Sequence, residues 1–184
     1  SRILARHLRV RAFETLRTEE QLGYAAGGGA LDLYLHPMVI FYIQTPVKGP
    51  QDMLDRFNAY TLEYRDELMG LSEESFGKFK AGVLTALTEP PKNLSSEAGP
   101  FASDWAIERY DFDTRANLIS AVESATLDDV QTFYDSTVFG ESRSRIVIQL
   151  KGQRYGSEPF GTIDGSTVVD DVDQFHRDMP RQSL

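Results

Sequence analysis

The sequence predicts an α+β fold, a mainly antiparallel sheet with helices packed on one face. Three observations predict it. Residues 23–35 and 38–45 read as successive strands, a long stretch of helical periodicity follows, and an alternating segment at 144–151 reads as a closing strand. A late strand returning to an early sheet leaves the intervening helices layered against one of its faces.

Each element has its own signal. Leu4, Leu8, Ala12 and Leu16 recur every four residues, joined by Ile3 and Phe13, so Arg2 to Leu16 is predicted as an amphipathic helix with arginines on its outer side. It ends near Thr18, and Gly23 marks a change of structure. The extended stretch from Tyr24 contains Gly27-Gly28-Gly29, which suits a bulge or a close approach to another backbone. Leu31, Leu33 and Leu35 then alternate with Asp32, Tyr34 and His36. After Pro37, Met38 to Thr45 is nearly all apolar and reads as a central strand.

Helices fill the middle. Gly49-Pro50 starts one carrying Met53, Leu54, Phe57, Leu62, Tyr64 and Leu68. Ser72 caps the next, with Glu73 and Glu74 at the positive end of its dipole, and Pro90-Pro91 stops it. A third spans Ser95 to Tyr110, with Pro100 starting, kinking or splitting it. Asp113 is placed to cap a fourth, and Thr126-Leu127-Asp128-Asp129 resembles a capping box ahead of Val130, Phe133 and Tyr134. In the closing segment, Ile146, Ile148 and Leu150 alternate with Val147 and Gln149. Beyond Gly152 the composition turns to Gly, Asp and Ser.

Composition narrows the function. A chain of 184 residues fits one domain and can bury about 70% of its unfolded surface. Having no Cys excludes disulfides, thiolate zinc sites and a cysteine nucleophile. A net charge of −9 opposes a nucleic-acid surface, and no apolar run approaches the ~20 residues that span a bilayer. Five arginines face one glutamate in residues 1–17, whereas six acidic residues outnumber three arginines from Gly152 onward. These ends read either as solvated surface or as pieces of a larger electrostatic surface.

No complete catalytic set is visible. His7, His36 and His176 are far apart, and neither H-E-x-x-H nor H-x-x-E-H occurs. Each histidine therefore reads as a surface or helix-end residue. A G-x-S-x-G elbow and a Walker A loop are also absent. The adjacent carboxylates Glu19-Glu20, Glu73-Glu74 and Asp170-Asp171 do not face each other on a helix or a strand.

One stretch holds half a site. Phe13 to Tyr24 places Arg17 at a helix end and Tyr24 seven residues later, across a turn into a strand. A guanidinium and a phenol supply converging donors, which suits a carbonyl oxygen becoming an oxyanion. Equally, Arg17 can compensate a helix C-terminus and Tyr24 can fill a sheet face.

Leu16-Arg17-Thr18-Glu19-Glu20-Gln21-Leu22-Gly23-Tyr24 resembles the L-R-T-x-E-Q-L-G-Y signature of the pitrilysin and insulinase zinc metallopeptidases. Pro91 to Glu97 resembles their P-x-x-L-x-x-E turn. Tyr110-Asp111-Phe112-Asp113 is similar to an aromatic-Asp corner, and Thr126 to Tyr134 to a further family helix. The acidic run through Met179-Pro180 resembles the pitrilysin end.

The resemblance implies a metallohydrolase-like fold whose first strand lies before residue 1. It also implies a zinc metalloendopeptidase whose H-x-x-E-H zinc site belongs to an amino-terminal half. Residues 1–151 then form a carboxy-terminal, non-zinc domain and residues 152–184 an acidic tail or docking arm. This domain closes a peptide-binding chamber, with Arg17 and Tyr24 reaching a peptide substrate. By resemblance, zinc is the cofactor of the parent enzyme, and this chain alone holds no metal and is inactive. Expected partners are the peptide and the amino-terminal half of the same polypeptide, without nucleic acid or membrane, in the periplasm. The alternatives are a non-catalytic scaffold or peptide-binding relative of the same fold, and a stand-alone acidic interaction domain.

Overall fold

The computed structural model describes residues 1–33 and 36–179. Helix α1 (Arg2–Ala12) runs directly into a π-helical turn, Phe13–Glu19. Strand β1 (Ala25–Leu33) follows and pairs antiparallel with β2 (His36–Gln44), from Ala25 opposite Gln44 to Leu33 opposite His36. Then come α2 (Pro50–Met69), α3 (Glu73–Thr88), α4 (Leu94–Ala106), α5 (Thr114–Ser124) and α6 (Leu127–Phe139). A 3₁₀ turn at Gln153–Tyr155 and α7 (Val172–Asp178) complete the described chain.

The two periodicities meet in one core. Leu4, Leu8, Ala12 and Leu16 are fully buried, as the four-residue spacing requires of one helix face. They lie against the β1–β2 face formed by Ala26, Ala30, Val39, Phe41 and Ile43. From the far side Tyr60, Tyr64 and Leu68 of α2 and Val130 and Tyr134 of α6 close the cluster. Tyr64 and Tyr134 pack edge to face at 5.1 Å, and the Tyr134 hydroxyl donates to the Thr61 carbonyl at 2.9 Å, so its polar end is satisfied inside the core. On the opposite face Ile40 and Tyr42 are exposed. Among the described residues, helices therefore cover one face of the sheet only.

The predicted caps form. Ser72 accepts from the Ser75 amide, and Thr126 and Asp129 make a reciprocal capping box in which Asp does the work usual for Glu or Gln. A second box at Asn93 and Ser96 starts α4 early enough for Pro100 to lie inside the helix. Asp113 occupies its cap position without a side-chain bond to the helix.

Several expectations change. Among the described residues the sheet has two strands, and the segment at 144–151 pairs with neither. Its bonds go elsewhere: Arg145 donates to Asn58 Oδ1, and the Gln149 side chain exchanges two hydrogen bonds with the backbone of Gly161. Ile146, Ile148 and Leu150 are left 76%, 83% and 93% exposed. Alternation marks a residue pattern fit for a half-buried strand, but a ladder also needs a neighbouring edge. For the same reason β2 is not central: its second edge is unpaired and alternate side chains face outward. The three glycines make no bulge, since pairing continues through Gly27, Gly28 and Gly29. Tyr34 and Leu35, at the end of the first predicted strand, lie outside the described residues, as does Pro180.

The acidic tail touches the β2–α2 connection. Arg154 Nη1 and the Tyr155 hydroxyl donate to the Pro46 carbonyl at 2.6 and 3.1 Å, and the Thr162 amide donates to Gln51 Oε1 at 2.8 Å.

Gly28 shows what the glycine run does. A β-carbon there would stand 3.0 Å from Phe41 Cδ1 and 3.2 Å from both Ala12 Cβ and Leu8 Cγ, while one at Gly29 meets nothing within 4 Å. Gly28→Ala is expected to destabilise the fold by about 1–3 kcal/mol through overpacking. Gly29→Ala is expected to be neutral or slightly stabilising, since it removes freedom from the unfolded chain. Urea denaturation of both variants checks the contrast, and equal effects would contradict the close-packing account.

Candidate functional site

The site begins where α1 changes its winding. The Glu20 amide donates to the Thr15 carbonyl at 3.0 Å, an i to i+5 bond, and the Leu22 amide donates to the Leu16 carbonyl at 3.1 Å. Such π turns recur at functional sites because they re-aim side chains. Here fully buried Leu16 anchors the turn and its neighbour Arg17 emerges half-buried. The chain then reverses through Gln21, which takes φ 51°. Gly23 follows, and a β-carbon on it would lie 2.0 Å from the Gln44 carbonyl oxygen. Only a glycine lets the chain pass the end of β2 so closely and present Tyr24 beside Arg17.

Arg17 and Tyr24 come together, the guanidinium lying over the phenol ring. The Arg17 guanidinium carbon sits 4.9 Å from the centre of the Tyr24 ring and 4.6 Å from that of Phe13. It is stacked between two aromatic faces, an arrangement that holds the cation while leaving its N–H edges open. Tyr24 is 85% exposed, so this stack faces outward. Phe13 is the residue that the sequence reading misplaced. It belongs to the exposed stack and not to the buried stripe, although its spacing of four from Arg17 was a usable signal.

The surrounding charges explain why Arg17 stays open. Glu14 is held by Arg11 at 2.5 Å, and Arg11 in turn pairs with Glu67. Glu20 is held by Arg56, with Nε to Oε2 at 2.8 Å and Nη2 to Oε1 at 2.5 Å. Among the described residues no carboxylate lies within ion-pair distance of Arg17. Stacking on rings replaces charge pairing as the force that orders this side chain.

The histidines do not assemble a metal site. Among the described residues no three His, Cys, Asp or Glu side chains cluster to hold an ion. His7 is a core residue, contrary to the surface or helix-end position expected for it. It is 3% exposed, its Nδ1 lies 2.8 Å from the Tyr64 hydroxyl, and its ring meets Phe79 edge to face at 4.7 Å. Its Nε2 lies 4.0 Å from Glu67 Oε1, beyond hydrogen-bond reach. His36 lies at the start of β2 and His176 on α7, both exposed.

Comparison with known proteins now defines the class. The crystal structure of pitrilysin superposes with a TM-score of 0.82 at 22% identity, covering 98% of this chain and 19% of that one. The fold is thus that of a domain of a pitrilysin-type peptidase. The profile described as PQQ synthase PqqF-like, C-terminal lobe domain 4, matches residues 3–102, and the chain belongs to that family as a carboxy-terminal domain of a pitrilysin/insulinase-family peptidase. Protease 3 of Escherichia coli (strain K12) is 24% identical over 171 residues, which is 93% of this chain and 18% of the relative. The A-factor-processing enzyme of Saccharomyces cerevisiae is 27% identical over 77% of this chain and 14% of the relative. A nardilysin-like protein of Arabidopsis thaliana is 31% identical over 71% of this chain and 13% of the relative. The chain therefore spans less than a fifth of the length of each of these relatives. No described helix is long and apolar enough to cross a membrane.

Burial sets the protonation of His7. It lowers the imidazole pKa below 6.5, against the opposing pull of Glu67 and with some help from Arg11. A histidine with a depressed folded pKa contributes stability above its unfolded value, and that stability is lost as pH falls toward the folded value. The melting temperature is expected to drop between pH 7 and pH 5. His7→Gln is expected to flatten that drop, and thermal melts across this range check it; an unchanged slope would contradict the assignment to His7.

Proposed function

We propose that this chain is the part of a zinc-dependent endopeptidase that faces the hydrolytic centre across the peptide chamber and contacts the substrate with Arg17 and Tyr24. The observation that supports this most is the Arg17 stack: a guanidinium set between Phe13 and Tyr24, with Glu14 and Glu20 bonded to other arginines. A fixed, uncompensated fork of N–H donors suits a peptide carbonyl, which it can grip with two hydrogen bonds. The Tyr24 hydroxyl, on the same stack, can donate to a carbonyl oxygen as negative charge grows on it. Because the π turn and the Gly23 contact already set both side chains, little reorganisation is needed during reaction.

The zinc and the group that activates water belong, in this reading, to an amino-terminal half of the same polypeptide. Closing that half over residues 1–151 would exclude water from the Arg17 stack and strengthen its hydrogen bonds. Residues 152–184 act as an acidic tail or docking arm, a role supported by the contacts of Arg154 and Tyr155 with the β2–α2 connection. The periplasm is the compartment we assign, by likeness to pitrilysin.

Substitution in the full-length polypeptide tests the roles. Tyr24→Phe is expected to lower kcat by ~10²–10³ with little change in KM, the loss typical of one transition-state donor. Arg17→Ala is expected to lower kcat and raise KM together. Zinc content should equal that of the unmodified enzyme in both. Near-normal kinetics for both variants would leave Arg17 as a helix-end counter-charge and Tyr24 as a sheet-face residue, and loss of zinc would refute the assigned roles.

Residues 1–184 alone are expected to retain no stoichiometric zinc after dialysis and to cleave no quenched fluorescent peptide. Zinc near one equivalent with chelator-sensitive cleavage would overturn the division of labour.

A further inference from the structure

We infer that Arg56 is a positioning residue for the Arg17–Tyr24 site, acting through Glu20 to hold the site's loop in place and to keep Glu20 away from Arg17. The inference rests on the substrate-contact role proposed above. Arg56 lies on α2, 32 residues beyond Tyr24, and belongs to no part of the nine-residue signature. Its guanidinium is nonetheless the best-bonded cation near the site. Nε and Nη2 donate to the two oxygens of Glu20 at 2.8 and 2.5 Å, while Nη1 and Nη2 donate to those of Glu63 at 3.0 and 2.8 Å. The Tyr60 ring lies beneath at 5.7 Å, and the Arg56 side chain is only 15% exposed. Residues 56, 60 and 63 share one face of α2, so a single helix surface supplies the whole grip.

What this grip holds is the end of the π turn. Glu20 is its C-cap residue and the last residue before the reversal at Gln21. From Glu20 onward the chain is pinned by Leu22, buried and bonded to the Leu16 carbonyl, and by Gly23 against Gln44. Glu20 is therefore the charged tether that fixes this loop to α2, and the loop delivers Tyr24.

A second consequence is electrostatic. Glu20 follows Arg17 by only three residues, so its carboxylate, once released, is a nearby mobile counter-charge on the same turn. Arg56 occupies both carboxylate oxygens. Without it Glu20 is free to turn back to Arg17, closing the donor fork that the substrate needs. A tether and a guard are thus combined in one ion pair.

The two parts of the role make an unusual prediction for paired substitutions in the full-length peptidase. Arg56→Ala should raise KM and lower kcat/KM by roughly 10–100-fold, the scale of a misplacement of about 1 Å. Adding Glu20→Gln should recover part of the KM loss, because the neutral amide no longer competes for Arg17. Arg56→Lys, which keeps the charge but cannot fork across a carboxylate, should fall between Arg56→Ala and the unmodified enzyme. Thermal melts of each variant establish that the folded enzyme is being compared. Recovery of KM in the double variant without a matching recovery of melting temperature supports the inference, since relief of a stranded Glu20 charge in a purely structural pair would restore KM only together with stability. KM recovery that merely follows the melting temperature overturns it. A double variant as poor as Arg56→Ala, or an Arg56→Ala enzyme with unaltered KM, overturns it. If Arg17→Ala itself leaves KM unchanged, the substrate-contact reading fails instead, and the two failures are told apart.

Discussion

Helix α1 lies so near strand β1 that a β-carbon at position 28 would crowd its neighbours, and the rest of the domain is arranged around that contact. Leu8 and Ala12 press on Gly28 from above, with Phe41 beside it on β2. Their stripe continues through Leu16 into the π turn, so the depth of the helix in the sheet also sets the height at which Arg17 leaves the surface. Fully burying a leucine is worth roughly 1.5–3 kcal/mol, and three of the four stripe residues are leucines with no exposed area. A contact held this firmly can carry a wider, less regular turn at its end. Had α1 stood off the sheet, neither the turn nor the loop behind it would have a fixed base.

Charge distribution completes what packing starts. Of the arginines that open the chain, only Arg11 is in an ion pair among the described residues, and the other arginine that ties this region down, Arg56, comes from α2. Arg11 joins Glu14 and Glu67, and Arg56 joins Glu20 and Glu63, which binds α1 and the π turn to α2 at two points. Surface ion pairs of this kind add little to stability one at a time, but a half-buried bidentate pair fixes direction. With those acids occupied, Arg17 is ordered by aromatic faces, which bind a cation without cancelling its charge. Its donors remain available to a ligand.

The domain also displays apolar surface that the described residues leave uncovered. Ile40 and Tyr42 form the outer sheet face, and Ile146, Ile148 and Leu150 project from an extended segment beside α2. A chain that spans under a fifth of its relatives is in keeping with such faces. The tail helps to place the segment: Gln149 is bonded to Gly161, and Thr162 to Gln51, so both run along the start of α2.

Much of this was legible in the residue pattern. The helices, the hairpin strands and the caps at Ser72 and Thr126 followed from spacing and side-chain chemistry, because each depends on neighbours within about four residues. The signature from Leu16 to Tyr24 identified the family by itself, and the family was sustained by the profile match and the pitrilysin fold. What depended on contacts distant in the chain was not legible. Nothing local distinguishes His7 from a surface histidine, since Tyr64 and Phe79 bury it from 57 and 72 residues away. Alternation at Ile146–Leu150 could not say whether an edge was available to pair with. The turn at Phe13 looked like more helix because only the meeting of α1, β1 and α2 decides where a helix must widen. Sequence determined which residues could serve as site and core; tertiary structure alone decided which charges met, since Glu20 and Arg56 become neighbours only after α2 folds back across α1.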